Sequence, residues 1–418
     1  MGRRKILFAS WHFYLDPSNG ASITARSLLF ELARRGWDVR TYCGASFDYR
    51  RSGSSSFAAL RRIKTRGRVE VGGDVPFSIV SFRDSSTRRV CGEDVLERTS
   101  DGGGVGVDSF LFVPKAAVGR ALTPRIGEVW LRFFSETMRS FQPDVVLTYG
   151  SYEFGPRLMK IAKEYGARIV VLVQNLSYRG AEWFRYADET IVPSRFAAEF
   201  YRKSLGLDFV AIPPLIDEND VLTNQGENAE PDRKYVLFVN PEESKGAGIF
   251  VKLAEKITKR RSDVPFLLVE GSAGAERLFS FGASQKLVDS LKILPNGVRP
   301  RDFYRLTKLT LAPSLVDESF GRVVAESQMN GIPVLTSTAG ALPETLGGAG
   351  LALPVPERLR AGGFKIPSDT EIEPWVTALE RIWDDRSLYE EYSAKGLARA
   401  AVWNRDQVGD LYEKILLG

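Results

Sequence analysis

Short apolar runs alternate with helix-length segments twice over in this chain, and that alternation leaves few folds open. In the first half, residues 5–10 read as a strand, a loop with Pro17, Asn19 and Gly20 follows, a helix fills about 22–35 up to Gly36, and 37–43 is the next strand. A strand, a glycine-bearing loop, a helix and a second strand open a doubly wound α/β domain. The rhythm resumes with a helix at 123–141, a strand at 144–148, a helix near 154–165, and strands at 168–173 and 189–192. It starts afresh at 235–240 and repeats through 266–271, 292–294, 309–312, 333–336 and 351–353. An α/β protein of two Rossmann-like, doubly wound domains is the expectation, and 418 residues suffice for two cores.

The expected boundaries are 1–217 for the first domain, 218–233 for a polar linker carrying N-Q-G-E-N-A-E-P-D, and 234–400 for the second domain. A last helix within 401–418 is expected at about 405–416. Residues 45–110 break the rhythm with R-S-G-S-S-S, a basic stretch and D-G-G-G-V-G, so an irregular insertion is expected there, with short strands at most near Val69 and 77–82.

The stretch 312–354 carries the chemistry: A-P-S-L-V-D-E-S-F-G-R-V-V-A-E-S-Q-M-N-G-I-P-V-L-T-S-T-A-G-A-L-P-E-T-L-G-G-A-G-L-A-L-P. It reads as a strand end, a turn over 314–319 and a helix over 320–330, with Ser319 as the expected N-cap. The first amides of a helix have no partners within it, and the aligned peptide dipoles add partial positive charge, so phosphate binds well there. Gly321 would let it approach the backbone closely. With Glu318 in the turn and Glu326 two turns into the helix, the ~1.5 Å rise per residue separates the carboxylates by about 10 Å. That spacing is too long for an acid and a nucleophile acting on one glycosidic bond. It suits the two ends of an extended ligand, although two solvated charges on an ordinary βα unit would have the same spacing.

Composition narrows the partners. Lys and Arg number 57 against 52 Asp and Glu, a net charge of +5 that does not by itself indicate nucleic acid. No apolar run approaches 18 residues and the start leads directly into a strand, so a soluble, intracellular protein is expected. The two cysteines, Cys43 and Cys91, lack metal-ligand spacing, and the single histidine, His12, rules out a multi-histidine metal site. The basic residues Arg50, Arg51, Arg61, Arg62, Lys64, Arg66 and Arg68 lie in a stretch without an acid between Asp48 and Glu70. Such a run is either a solvated face or a peripheral contact with an anionic membrane through 50–68.

With P-S, F-G, G-I-P-V-L and G-A-L-P-E flanking E-x7-E in order, residues 311–354 resemble the retaining glycosyltransferases of family 4 (glycosyl transferases group 1). Their fold is GT-B, two Rossmann-like domains facing across a cleft, and the likeness is weaker but collinear over nearly the whole chain. The resemblance implies a nucleotide-sugar donor and a hydroxyl acceptor, with glycans, lipid-linked and small molecules all admitted, and neither a cofactor nor a metal. Acceptor specificity would lie in the first domain, and the terminal helix would pack back onto that domain. Donor diphosphate would rest on the amides of Ser319, Phe320, Gly321 and Arg322 and on Lys245. Glu318 would take the sugar hydroxyls, Glu326 the ribose hydroxyls, and Gly297 and Val298 the nucleobase through their backbone. Gly20 would lie near the donor phosphate and the acceptor.

The chain also departs from the family pattern. The usual G-R-x4-K-G is F-V-N-P-E-E-S-K-G here, so Asn240 stands where an arginine would share the phosphates with Lys245. Arg322 could compensate, or it could pair with a neighbouring acid. Tyr149 replaces a histidine of many relatives, and as a strand-end residue it suits packing as well as sugar binding. Ala21 and Ala341 stand at family glycines, and Glu344 reads as a structural cap. The favoured function is retaining sugar transfer from a nucleotide-sugar donor. A sugar-nucleotide epimerase or hydrolase on the same fold, and a non-catalytic nucleotide-sugar-binding protein, are the alternatives.

Overall fold

The computed structural model describes residues 2–16, 20–46, 68–72, 75–84, 106–114, 123–150, 152–223 and 232–418. The basic residues from Arg50 to Arg66, Cys91, the glycines 102–104 and the polar segment 224–231 lie outside the described residues. The chain divides into two compact units, Met1–Leu215 with Arg405–Gly418, and Ile216–Asn404.

The first unit is built on a nine-stranded sheet. Its strands are β1 (Lys5–His12), β2 (Asp38–Ser46), β3 (Arg68–Gly72), β4 (Val75–Asp84), β5 (Val107–Pro114), β6 (Val145–Tyr149), β7 (Arg168–Leu172), β8 (Glu189–Val192) and β9 (Val210–Ala211). They lie in the order β3-β4-β5-β2-β1-β6-β7-β8-β9. From β5 to β9 the pairing is parallel, and β3–β4 and β4–β5 are antiparallel. The central strands of a sheet covered on both faces read as nearly continuous apolar runs. Accordingly Ile6 and Phe8 enter one core, and Leu7 and Ala9 enter the other.

The insertion expected over 45–110 is thus partly a sheet extension. Strand β2 runs on to Ser46, β3 and β4 form a hairpin, and β5 pairs in parallel with β2. Strand β5 escaped sequence reading because it follows a glycine tract and interrupts its apolar run with Asp108 and Ser109. Ser109 is nonetheless buried, its hydroxyl 2.7 Å from that of Tyr14.

The second unit has a six-stranded, all-parallel sheet: β10 (Tyr235–Val239), β11 (Phe266–Val269), β12 (Lys292–Leu294), β13 (Thr307–Ala312), β14 (Val334–Ser337) and β15 (Gly350–Leu353). Its order is β12-β11-β10-β13-β14-β15, so the winding reverses between β10 and β13. Ligands of such sheets bind outside the carboxyl ends of the strands at the reversal. Residues 216–223, most of them placed in the linker by sequence, belong to this unit: Ile216 and Val221 are fully buried in its core, and Glu218–Val221 is a short helix capped by Asp217.

The last helix, Arg405–Leu417, buries Val408, Tyr412 and Leu416 in the first unit. Its polar side is fixed by Glu31, whose side chain is fully buried in the helix Gly20–Arg34. Glu31 accepts hydrogen bonds from Arg34 at 2.6 Å, from Arg35 at 2.7 Å and from Arg405 at 2.6 Å. Arg35 also reaches Asp410 and Glu413, while Trp37 Nε1 donates to Glu413 at 2.8 Å. Burial alone would raise the Glu31 pKa, but the three guanidinium groups outweigh it and hold the carboxyl below its ordinary range.

A folded-state pKa below the unfolded one adds stability at higher pH, and this contribution disappears as pH falls through the folded value. Glu31→Gln should lower stability at neutral pH by about 3 kcal/mol, since it breaks a buried charge cluster. Denaturant unfolding across pH should show the gap from the natural protein shrinking once pH drops below the ordinary carboxylate value of 4.5.

Candidate functional site

The two strands at the reversal of the second sheet, β10 and β13, lead into the loops that carry Lys245 and Glu318. After β10 the chain turns at Asn240, which adopts φ 62°. Asparagine tolerates this left-handed conformation better than most residues. Its side chain donates to Ser272 Oγ at 3.1 Å and accepts from the Ala273 amide at 3.3 Å. A Cβ on Gly271 would lie 2.5 Å from the Asn240 side chain, so the two turns fit only with glycine there. Asn240 is therefore engaged in holding the loop that follows β11.

A short 3-10 turn, Glu243–Lys245, ends in Gly246 at φ 86°. A Cβ on Gly246 would stand 2.1 Å from the Pro313 carbonyl oxygen. That close approach lets the Leu315 amide donate to Ser244 O at 2.8 Å and brings Lys245 beside the loop after β13. Lys245 Nζ lies 2.5 Å from Glu318 Oε1. Ser314 Oγ donates to the same oxygen at 2.7 Å, and Ser337 Oγ donates to Ser314 O at 2.7 Å. The Glu318 side chain is 18 % exposed and that of Lys245 37 %, so the pair is reachable from solvent without being fully hydrated.

Glu318 is also fixed through its backbone. It bridges to Gly340, and the Ala341 amide donates to Glu318 O at 2.8 Å. This bridge changes the helix start expected from sequence. Ser319 is not the N-cap: the helix is Arg322–Met329, and its cap is Gly321 at φ 95°. The left-handed Gly321 ends the extended stretch, and a Cβ there would meet Leu342 Cδ2 at 2.5 Å. Phe320 points inward, packing edge-on against Trp403 with ring centroids 6.2 Å apart.

Glu326 is 3 % exposed, where a solvated charge on the helix surface was one sequence reading. Its Oε2 accepts from the Tyr304 hydroxyl at 3.1 Å, and its Oε1 lies 3.1 Å from Arg322 Nε and 2.9 Å from Nη2. Of the two roles open to Arg322, the structure contains the pairing with a neighbouring acid. Gly297, at φ 90°, and Val298 precede the short helix Pro300–Tyr304. Val298 packs against the cluster that includes Tyr304, Phe320 and Ala325, on the Glu326 side of the unit.

The second unit thus brings together Lys245 with Glu318, and Glu326 with Arg322, while Gly20 belongs to the first unit. There Gly20 opens the helix Gly20–Arg34 after β1. Tyr149, at the end of β6, is 4 % exposed, stacks on His12 at 6.0 Å between ring centroids, and shares a 2.6 Å hydrogen bond with Ser22. Those contacts make it a packing residue. Sequence reading missed Ser314 and Tyr304, the partners of the two carboxylates. Ser314 stood in the P-S motif without a role, and Tyr304, 22 residues before Glu326, has no spacing that signals it. Among the described residues no group of three or more His, Cys, Asp or Glu side chains is placed to hold a metal ion. No helix among them is long and apolar enough to cross a membrane.

Residues 222–398 match the family model described as Glycosyl transferases group 1. A D-inositol 3-phosphate glycosyltransferase of Paenarthrobacter aurescens is 30 % identical over 168 residues, 38 % of this chain and 38 % of that protein. A lipopolysaccharide core biosynthesis mannosyltransferase of Rhizobium meliloti is 25 % identical over 202 residues, 47 % of this chain and 54 % of that protein. The chain therefore matches from about two fifths to about half of the length of these curated relatives. Among solved structures, sucrose-phosphate synthase from Thermosynechococcus elongatus aligns at TM-score 0.63 and 16 % identity, over 99 % of this chain and all of the other. Anabaena HepE in complex with UDP and glucose aligns at TM-score 0.62 and 14 % identity, over 99 % of both chains. The fold is GT-B, two Rossmann-like α/β domains.

Gly340, like Gly246, is a position at which this geometry leaves no room for a side chain. A Cβ there would lie 2.4 Å from Glu318 O and 2.5 Å from Glu318 N, at φ 63°. Gly340→Ala should cost about 1–3 kcal/mol through backbone strain, measured by denaturant unfolding.

Proposed function

We propose that this protein is a retaining glycosyltransferase of family 4, with Glu318 and Glu326 as its E-x7-E pair, moving a sugar from a nucleotide-sugar donor to a hydroxyl acceptor. The observation that carries the reading is the Lys245–Glu318 pair at the winding reversal, within the domain that matches Glycosyl transferases group 1. The names of the curated relatives, transferases for inositol phosphate and lipopolysaccharide, favour a hydroxyl acceptor, with a glycan or lipid-linked molecule among those it admits.

In this reading the donor diphosphate binds on the amides from Ser319 to Arg322 and against the Lys245 ammonium. Lys245 then divides its charge between Glu318 and the leaving phosphate, with no metal ion required. Glu318 accepts hydrogen bonds from the sugar hydroxyls, Glu326 from the ribose, and Gly297 and Val298 hold the nucleobase by backbone atoms. During transfer the bond from the anomeric carbon to the phosphate oxygen breaks and one to the acceptor oxygen forms on the same face. The acceptor proton passes to the departing phosphate. Charge that develops on that phosphate is met by a lysine already in place, which lowers the barrier. Gly20 serves the acceptor side in the first unit. The basic stretch over 50–68 would bring the protein to an anionic membrane from the cytoplasmic side, each cation contributing about 1 kcal/mol near the headgroups.

The test begins with thermal stabilisation by UDP-, GDP- and ADP-sugars, followed by nucleotide release in the presence of hydroxyl acceptors and NMR of the product's anomeric proton. Stabilisation and transfer with the donor's configuration support the reading. Stabilisation without transfer points to a binding protein, and an inverted anomer removes the retaining assignment. Lys245→Ala should lower kcat by about 10²- to 10³-fold, as loss of one preorganised donor to developing charge does.

A further inference from the structure

Glu326 cannot meet a ribose in the state described above without giving something up. The carboxylate is buried, its Oε2 accepts from Tyr304, and its Oε1 faces both Nε and Nη2 of Arg322. A carboxylate offers about four lone-pair positions, and a vicinal diol donating two hydrogen bonds needs two of them. Binding of the diol therefore competes with the guanidinium. Arg322 opens the helix, four residues after Glu318, and Lys245 Nζ lies 2.5 Å from that glutamate. With Asn240 engaged by the Ser272–Ala273 loop, Lys245 is the only cation that the K-G turn itself brings to Glu318.

We propose that Arg322 is a relay. In the free protein it neutralises Glu326, and the ribose hydroxyls of the donor displace it so that its guanidinium turns to the diphosphate. The relay rests on the nucleotide-sugar reading above. Its consequence is that the site recognises ribose and diphosphate together: the diol frees the cation that the phosphates need. A deoxy or diol-free nucleotide leaves Arg322 on Glu326 and binds its phosphates through Lys245 alone. A charge-assisted hydrogen bond to phosphate from an arginine fork is strong enough for this coupling to be measured.

The experiment is titration calorimetry on the full chain with the best binder among UDP, GDP and ADP, its nucleoside, and the 2′,3′-dideoxy forms of both. The quantity read is the affinity gained by adding the diphosphate to the nucleoside. In the natural protein this gain should be about tenfold larger in the ribose series than in the dideoxy series, equivalent to ~1.4 kcal/mol. Arg322→Gln should make the two gains equal, and Arg322→Lys should keep part of the difference. Glu326→Gln should raise the affinity of the dideoxy diphosphate about tenfold, because Arg322 is then released without a diol. That increase in binding separates the relay from a merely structural role and does not depend on Arg322→Gln folding well. Equal gains in the natural protein, an unchanged difference in Arg322→Gln, or no increase in Glu326→Gln would overturn the relay while leaving the donor reading intact. Failure of all three diphosphates to bind would overturn both.

Discussion

The close approach of backbone turns at the carboxyl ends of β10, β13 and β14 is the constraint on which the site depends. Gly246 against Pro313, and Gly340 against Glu318, leave no room for a Cβ, and both glycines have positive φ. Because the turns touch, a lysine from one loop and a glutamate from the next meet at 2.5 Å, although 73 residues separate them in sequence. The Ser314 hydroxyl and the Ala341 amide then fix that glutamate from two further directions. The chemistry of the pair comes from its side chains, but its geometry comes from main chain packed against main chain.

Two buried carboxylates show different uses of the same pairing. Glu31 is held by three arginines, one of them 374 residues away in the last helix, and the cluster ties that helix to the helix Gly20–Arg34. Glu326 is held by one arginine on its own helix, four residues away, and by a tyrosine. A carboxylate shielded from water needs compensating donors in either case. The partners of Glu31 tie two distant parts of the chain together, whereas those of Glu326 lie on its own helix and on the short helix 300–304.

Much of the architecture was legible because parallel strands buried on both faces read as nearly continuous apolar runs. The runs at 235–240 and 266–271 fall on β10 and β11 to within a residue or two at each end. Strand β5 was not legible, since its buried Ser109 looks polar until Tyr14 is seen opposite. Ser319 has the right chemistry for a cap, and nothing local reveals that Glu318 instead bridges to Gly340, 22 residues on. The pairing of Arg322 with Glu326 is an i, i+4 contact that spacing can suggest. The burial that gives the contact its weight depends on Tyr304 and Phe320, and so on the folded unit.

Asn240 and Gly271 form a mutual lock: the amide side chain secures the turn after β11, and that turn has room for it only because residue 271 lacks a Cβ. An arginine at position 240 would sit on a left-handed backbone and would remove the hydrogen bonds that the Asn240 side chain makes to Ser272 and Ala273. A change of side chain at 240 is therefore felt in two turns at once, the one after β10 that carries the residue and the one after β11 that its amide holds.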